Sequence, residues 1–81
     1  MNSVPDLLVA AESIHKLYKD GRMEREIVRE WISRLGDYDR PTGDRVTQAK
    51  EWFRVNDKEP VSEEIMQADL DRIGAIFVIP R

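Results

Sequence analysis

Apolar residues fall into four helical stripes along this chain, and into one short run that fits none of them. In the first stripe Leu7, Leu8, Ala11, Ile14, His15 and Tyr18 recur at three- and four-residue spacing, lining one face of a helix with 3.6 residues per turn. Ser3 can cap it, with Pro5 and Asp6 in its opening turn, where each residue type is favoured. "KDGR" ends it, Gly21 being free to turn left-handed. A second helix is predicted from about Met23 to Leu35, burying Ile27, Val28, Trp31, Ile32 and Leu35 and stopping at Gly36.

"GDYDRPTGD", residues 36–44, reads as a turn-forming linker. Thr42 or Asp39 would cap a third helix, from about Gly43 to Val55, with Val46, Ala49 and Phe53 inward and Trp52 beside them. Ser62 caps a fourth, with Glu63 and Glu64 near its positive end and Val61 placed to staple against Met66. Met66, Leu70 and Ile73 continue that stripe, and Gly74 is the expected stop.

The exception is "AIFVIP", residues 75–80, β-branched, aromatic and apolar on both faces. It predicts an extended segment whose backbone groups need partners wherever they are buried. Two forms satisfy that demand. The segment packs as an irregular tail over its own helices, or it pairs with a strand of another chain, with Pro80 limiting the ladder. The expected fold is therefore mainly α, a small four-helix single domain over residues 1–81 with a short extended apolar C-terminal segment. Leu7, Ile14, Val28, Trp31, Ile32, Leu35, Val46, Phe53, Met66 and Leu70 are its expected core.

Length and charge narrow the function. A chain of 81 residues has room for one small core, and self-association or partner binding often supports domains of this size. Without cysteine there is no disulfide framework and no thiolate metal site, which fits a reducing cytoplasm. The longest uncharged run, Ile73 to Pro80, is too short to span a membrane. The net charge of −3 opposes strong, salt-driven nucleic-acid binding. Charges nearly balance from Lys16 to Arg54, whereas the stretch from Asp57 to Asp71 is strongly acidic.

Candidate chemistry is sparse. His15 is the only histidine and has no companions at metal-ligand spacing. Counted from Asp37, a calcium loop would need glycine at Thr42 and glutamate at Gln48, so those aspartates read as turn and cap residues. Neither a nucleophile elbow nor a phosphate-binding glycine pattern is present. No catalytic, metal or cofactor residue is therefore assigned.

Two binding readings remain. The leading one is a non-enzymatic helical interaction protein, a regulator, adaptor or inhibitor that occupies a partner surface, including that of a nucleic-acid-handling protein. Its expected contact residues are Trp52, Ile76, Phe77, Val78, Ile79 and Arg81, and its expected partner is another protein or its own copy, as a homodimer. The alternative is a helix-turn-helix-like DNA-binding regulator with Arg22, Arg25, Arg29, Thr42, Arg45 and Gln48 on nucleic acid. The nine-residue linker is long for that motif, and Glu26, Glu30, Asp44 and Glu51 interleave with its basic groups.

Overall fold

A computed structural model describes residues 4–38, 40–58 and 60–79. It contains four helices, α1 (Val4–Lys19), α2 (Arg25–Gly36), α3 (Arg40–Val55) and α4 (Glu63–Phe77), and no strand among the described residues. The main packing pairs are α1 with α2, α2 with α3, α3 with α4, and α4 with α1. The chain thus closes a ring of four helices, about 37 × 23 × 20 Å, around one shared core.

Local chemistry explains several boundaries. Gly21 takes a left-handed φ of 72° after α1, as a C-terminal glycine does without a Cβ penalty. Ser62 is extended and accepts the Ile65 amide at 3.2 Å, capping α4. The expected caps at Ser3 and Asp39 lie outside the described residues, as do Pro80 and Arg81.

The core holds Leu7, Ala11, Ile14 and Tyr18 of α1, then Val28, Ile32 and Leu35 of α2. Val46, Ala49 and Phe53 of α3 and Leu70, Ile73 and Ile76 of α4 complete it. Met66 packs at its edge.

Three expectations need correction. Trp31 is not core: it is 43% exposed, and Ile27 beside it is 42% exposed. The stripe on α2 carries more large side chains than one face can bury, and the helix is rotated to send Arg25, Val28, Ile32, Leu35 and Gly36 inward. Gly36 helps set that rotation. A Cβ there would meet the Val46 side chain at 2.8 Å, so only glycine lets α2 and α3 approach this closely.

The second correction is the linker. Gly36 is the last residue of α2 and α3 starts at Arg40, so the connection spans only residues 37–39. Pro41 sits in the first turn of α3, where its missing N–H costs nothing, and Thr42 is the third helical residue rather than the cap. Asp37 and Tyr38 donate to the carbonyls of Arg34 and Leu35, satisfying the end of α2.

The third is the C-terminal run. Gly74 does not stop α4; Ala75, Ile76 and Phe77 are helical. Ile76 falls three residues after Ile73 on the buried face, and its burial outweighs the roughly 1 kcal/mol propensity cost of a mid-helix glycine. The chain then turns at Val78, which is left-handed (φ 53°, ψ 48°), and the Ile79 amide returns to the Gly74 carbonyl at 2.9 Å. Phe77 and Ile79 pack against the core. Within the single chain, residues 76–79 thus form a helical turn and its cap rather than an extended segment.

Candidate functional site

One polar cluster ties all four helices together. Asp69 of α4 is 0% exposed and accepts four hydrogen bonds. The Tyr18 hydroxyl of α1 donates at 2.7 Å, the Arg25 Nε and Nη2 of α2 at 2.6 and 3.1 Å, and the Trp52 Nε1 of α3 at 2.8 Å. The remaining Arg25 nitrogen, Nη1, donates to the Asn56 carbonyl at 2.9 Å. There it places a cation at the negative end of α3, a favourable site. Asp57 joins Arg25 at 3.4 Å and Arg29 at 3.3 Å, and the Arg25 guanidinium lies 5.0 Å from the Phe53 ring centre.

Among the described residues no buried side-chain polar atom lacks a hydrogen-bond partner, so the cluster is internally complete. Burial opposes the charge of Arg25, yet the hydrogen bond and negative charge of Asp69 prevail and raise its pKa. Burial first, then the hydrogen bond to Asp69 and its charge, push the Tyr18 phenol well above its ordinary value. A carboxylate with all its hydrogen-bonding capacity spent inside the protein has none left for a ligand. This cluster holds the fold.

Two expected binding residues are therefore interior. Arg25 leaves the basic ridge for the Asp69 ion pair, and Ile76 is core. Trp52 is half-buried: its ring edge is committed to Asp69, and the Arg72 guanidinium covers one face at 4.1 Å. Phe77 and Ile79 are half-buried, whereas Val78 is 74% exposed. A cleft of about 220 Å³ opens beside this turn, lined by Leu7, Leu8, Pro41, Thr42, Ile76 and Phe77 among others.

The other nucleic-acid candidates occupy separate places. Arg22 is exposed after α1, and Arg29 is paired with Asp57. Arg45 and Gln48 are exposed on α3, lining a groove with Arg72 and Ala75 of α4. Arg45 reaches the Ala75 carbonyl at 3.4 Å. His15 is half-buried beside Lys19, Gln67 and Asp71. No group of three or more potential metal-ligating side chains is assembled among the described residues, and no helix there is long and apolar enough to cross a membrane.

The surface that the sequence pattern assigned to the core is the outer face of α2. Ile27, Trp31 and Arg34 lie on one side of that helix, at spacings of four and three residues. Tyr38, in the turn that follows α2, is 63% exposed. Arg34 stacks over the Trp31 ring with its guanidinium carbon 5.7 Å from the ring centre, and pairs with Glu30 at 2.8 Å. Ile27, Trp31 and Arg34 thus make one exposed line on α2, with Tyr38 exposed beyond its end. The excess of large side chains in the α2 stripe was the signal for it. Comparison with protein-family models, with curated proteins and with solved structures finds no match for this chain.

Proposed function

We propose that this chain is a non-enzymatic helical interaction protein, a regulator, adaptor or inhibitor that acts by occupying a protein surface. The observation that carries the reading is the exposed line Ile27–Trp31–Arg34 on α2, with exposed Tyr38 in the turn after it. Tryptophan, tyrosine and arginine are the residues enriched at binding hot spots, because each brings a large area and a polar handle with few torsions to freeze. The ring of four helices makes α2 a rigid platform for them. The exposed turn at Val78, with Phe77, is a second and smaller contact region of the same kind. The acidic stretch from Asp57 to Asp71 favours a basic partner, such as a nucleic-acid-handling protein. The absence of cysteine suits work in a reducing cytoplasm.

The test is capture of proteins from the native host on immobilised wild-type chain and on Trp31→Glu, read by mass spectrometry. A protein retained by the wild type and lost from the variant, at equal helicity, supports the reading. Identical retention on both sinks it for α2.

One observation favours DNA binding as a second reading. The α2–α3 connection is three residues long, the length found in helix-turn-helix units, and Arg45, Thr47 and Gln48 are exposed on α3. Asp44 and Glu51 share that helix, and Arg25 is no longer available. An electrophoretic shift at low salt that Arg45→Ala weakens supports this reading; no shift at low salt removes it.

A further inference from the structure

The groove between α3 and α4 gathers cations that the protein itself does not neutralise. It has a volume of about 310 Å³ and is lined by Arg45, Gln48 and Ala49 of α3 and by Arg72, Ala75 and Ile76 of α4. Arg25, Arg29, Arg34 and Arg54 each hold a carboxylate. Arg45 and Arg72 hold none among the described residues, although the chain has 16 acidic residues against 13 basic ones. Asp44, Glu51 and Asp71 share the two helices but lie outside the groove lining. Glu51 is paired with Arg54, and Asp71 accepts from Gln67 at 3.1 Å. We propose that this groove is a binding site for a phosphate monoester, held between Arg45 and Arg72. The site lies apart from the α2 line and stands without it.

The way each arginine is held leaves its donors for a ligand. The Arg72 guanidinium carbon lies 4.1 Å from the Trp52 ring centre, a contact made through its flat face. Its N–H edge makes no hydrogen bond to the described residues. Trp52 in turn donates to the fully buried Asp69 at 2.8 Å, so this surface cation rests on the lock that closes the bundle. Arg45 spends one nitrogen on the Ala75 carbonyl across the groove, at a long 3.4 Å. A planar charged fork that is positioned before the ligand arrives loses less freedom on binding.

Charge and donor count select the ligand. Two guanidinium groups face a phosphate monoester that carries about 1.5 to 2 negative charges and three acceptor oxygens, enough for Arg45, Gln48 and Arg72 together. A carboxylate or a phosphodiester carries a single charge and would leave one arginine uncompensated. Ala49, Ala75 and Ile76 form an apolar floor for the carbon atoms next to the phosphate. The volume is at the small end of ligand pockets, which suits a phosphorylated side chain or a small sugar phosphate. Those two sources share the chemistry that the groove recognises.

Nitrogen-detected NMR of the full chain at constant ionic strength reads binding at the arginine Nε and Gln48 amide signals, and the same spectrum shows that each variant is folded. The probes are inorganic phosphate, a sugar monophosphate, and a blocked phosphoserine peptide beside its unphosphorylated form. The monoesters should move the Arg45, Gln48 and Arg72 signals with a Kd of about 1 mM or below, and the unphosphorylated peptide should not. Arg45→Gln and Arg72→Gln should each weaken binding by about tenfold or more. Arg54→Gln removes an equal charge outside the groove and should leave it unchanged, whereas Arg72→Lys keeps the charge without the flat fork and should retain only part of the affinity. Tighter binding of the phosphopeptide identifies a phosphorylated protein as the source, and tighter binding of the sugar phosphate identifies a metabolite; either supports the site. No shift with any probe at about 20 mM, or an equal loss in Arg54→Gln, overturns it. A short DNA duplex that moves these signals where no monoester does also overturns it, and gives the groove to the DNA-binding reading.

Discussion

Replacing Asp69 by alanine removes the acceptor that all four helices share. Four hydrogen bonds go at once, and the Arg25 cation keeps Asp57, at 3.4 Å and half-exposed, the Asn56 carbonyl and the face of Phe53. Breaking a buried ion pair from one side costs about 3–5 kcal/mol, because the remaining charge is left without its counter-ion. The stranded Tyr18 and Trp52 donors raise that cost toward its upper end. An 81-residue chain has a total stability of roughly 4–12 kcal/mol, so Asp69→Ala should bring it close to unfolding at room temperature. The assay is urea unfolding followed by far-UV dichroism. Tyr18→Phe, which deletes one hydroxyl and one bond, should cost only about 1 kcal/mol and serves as the graded control. Combining Arg25→Met with Asp69→Ala should cost less than the two changes summed, since each removes the other's stranded charge. A loss below about 1 kcal/mol for Asp69→Ala would refute the view that this cluster locks the bundle.

Three other perturbations follow from single positions. Gly36→Ala should destabilise by about 1–3 kcal/mol, although alanine is the better helix former, because its Cβ would press into Val46 at 2.8 Å; thermal unfolding reads this, and a stabilised variant would contradict the close α2–α3 approach. Val78→Gly should stabilise by about 1 kcal/mol, since a β-branched residue is strained at φ 53° and glycine is not; an unchanged midpoint would mean that the cap costs nothing. The raised pKa of Tyr18 means that the folded protein keeps the phenol proton which the unfolded chain gives up near pH 10. Its contribution is therefore complete below pH 10 and is lost as pH rises beyond it. Urea midpoints should fall above that pH in wild type and fall less steeply in Tyr18→Phe.

How far the sequence reveals this structure depends on whether a feature is local. Ser62 and Gly21 act through their own turns, so their roles could be read without a fold. Leu70 and Ile73, Val46 and Phe53, and Leu7 and Ile14 follow helical spacing, and burial agrees. Gly36 and Gly74 carry the same local signal as Gly21 but mean something different. One lies where Val46 of another helix passes, and the other precedes Ile76, whose burial carries the helix onward. Asp69 falls on the apolar face between Met66 and Leu70, and Arg25 three residues before Val28. A charge in such a register hints at a buried partner, but the partner is 44 residues away, and spacing alone does not pair them. The α2 surface was hidden for a related reason. Helical periodicity defines an apolar sector, and only packing against Val46 and Asp69 decides which edge of that sector, here Ile27 and Trp31, is left outside.

The interior lock at Asp69 is distinct from the proposed contact face at Trp31, and Trp31→Glu tests that separation most directly. Its association, with itself and with host proteins, should be measured beside wild type at matched helicity and unfolding free energy. The variant should be as stable as wild type to within about 1 kcal/mol, because an exposed side chain contributes little to the core, and should no longer associate. A variant that unfolds would return Trp31 to the core, and one that folds and associates like wild type would remove the contact face from α2.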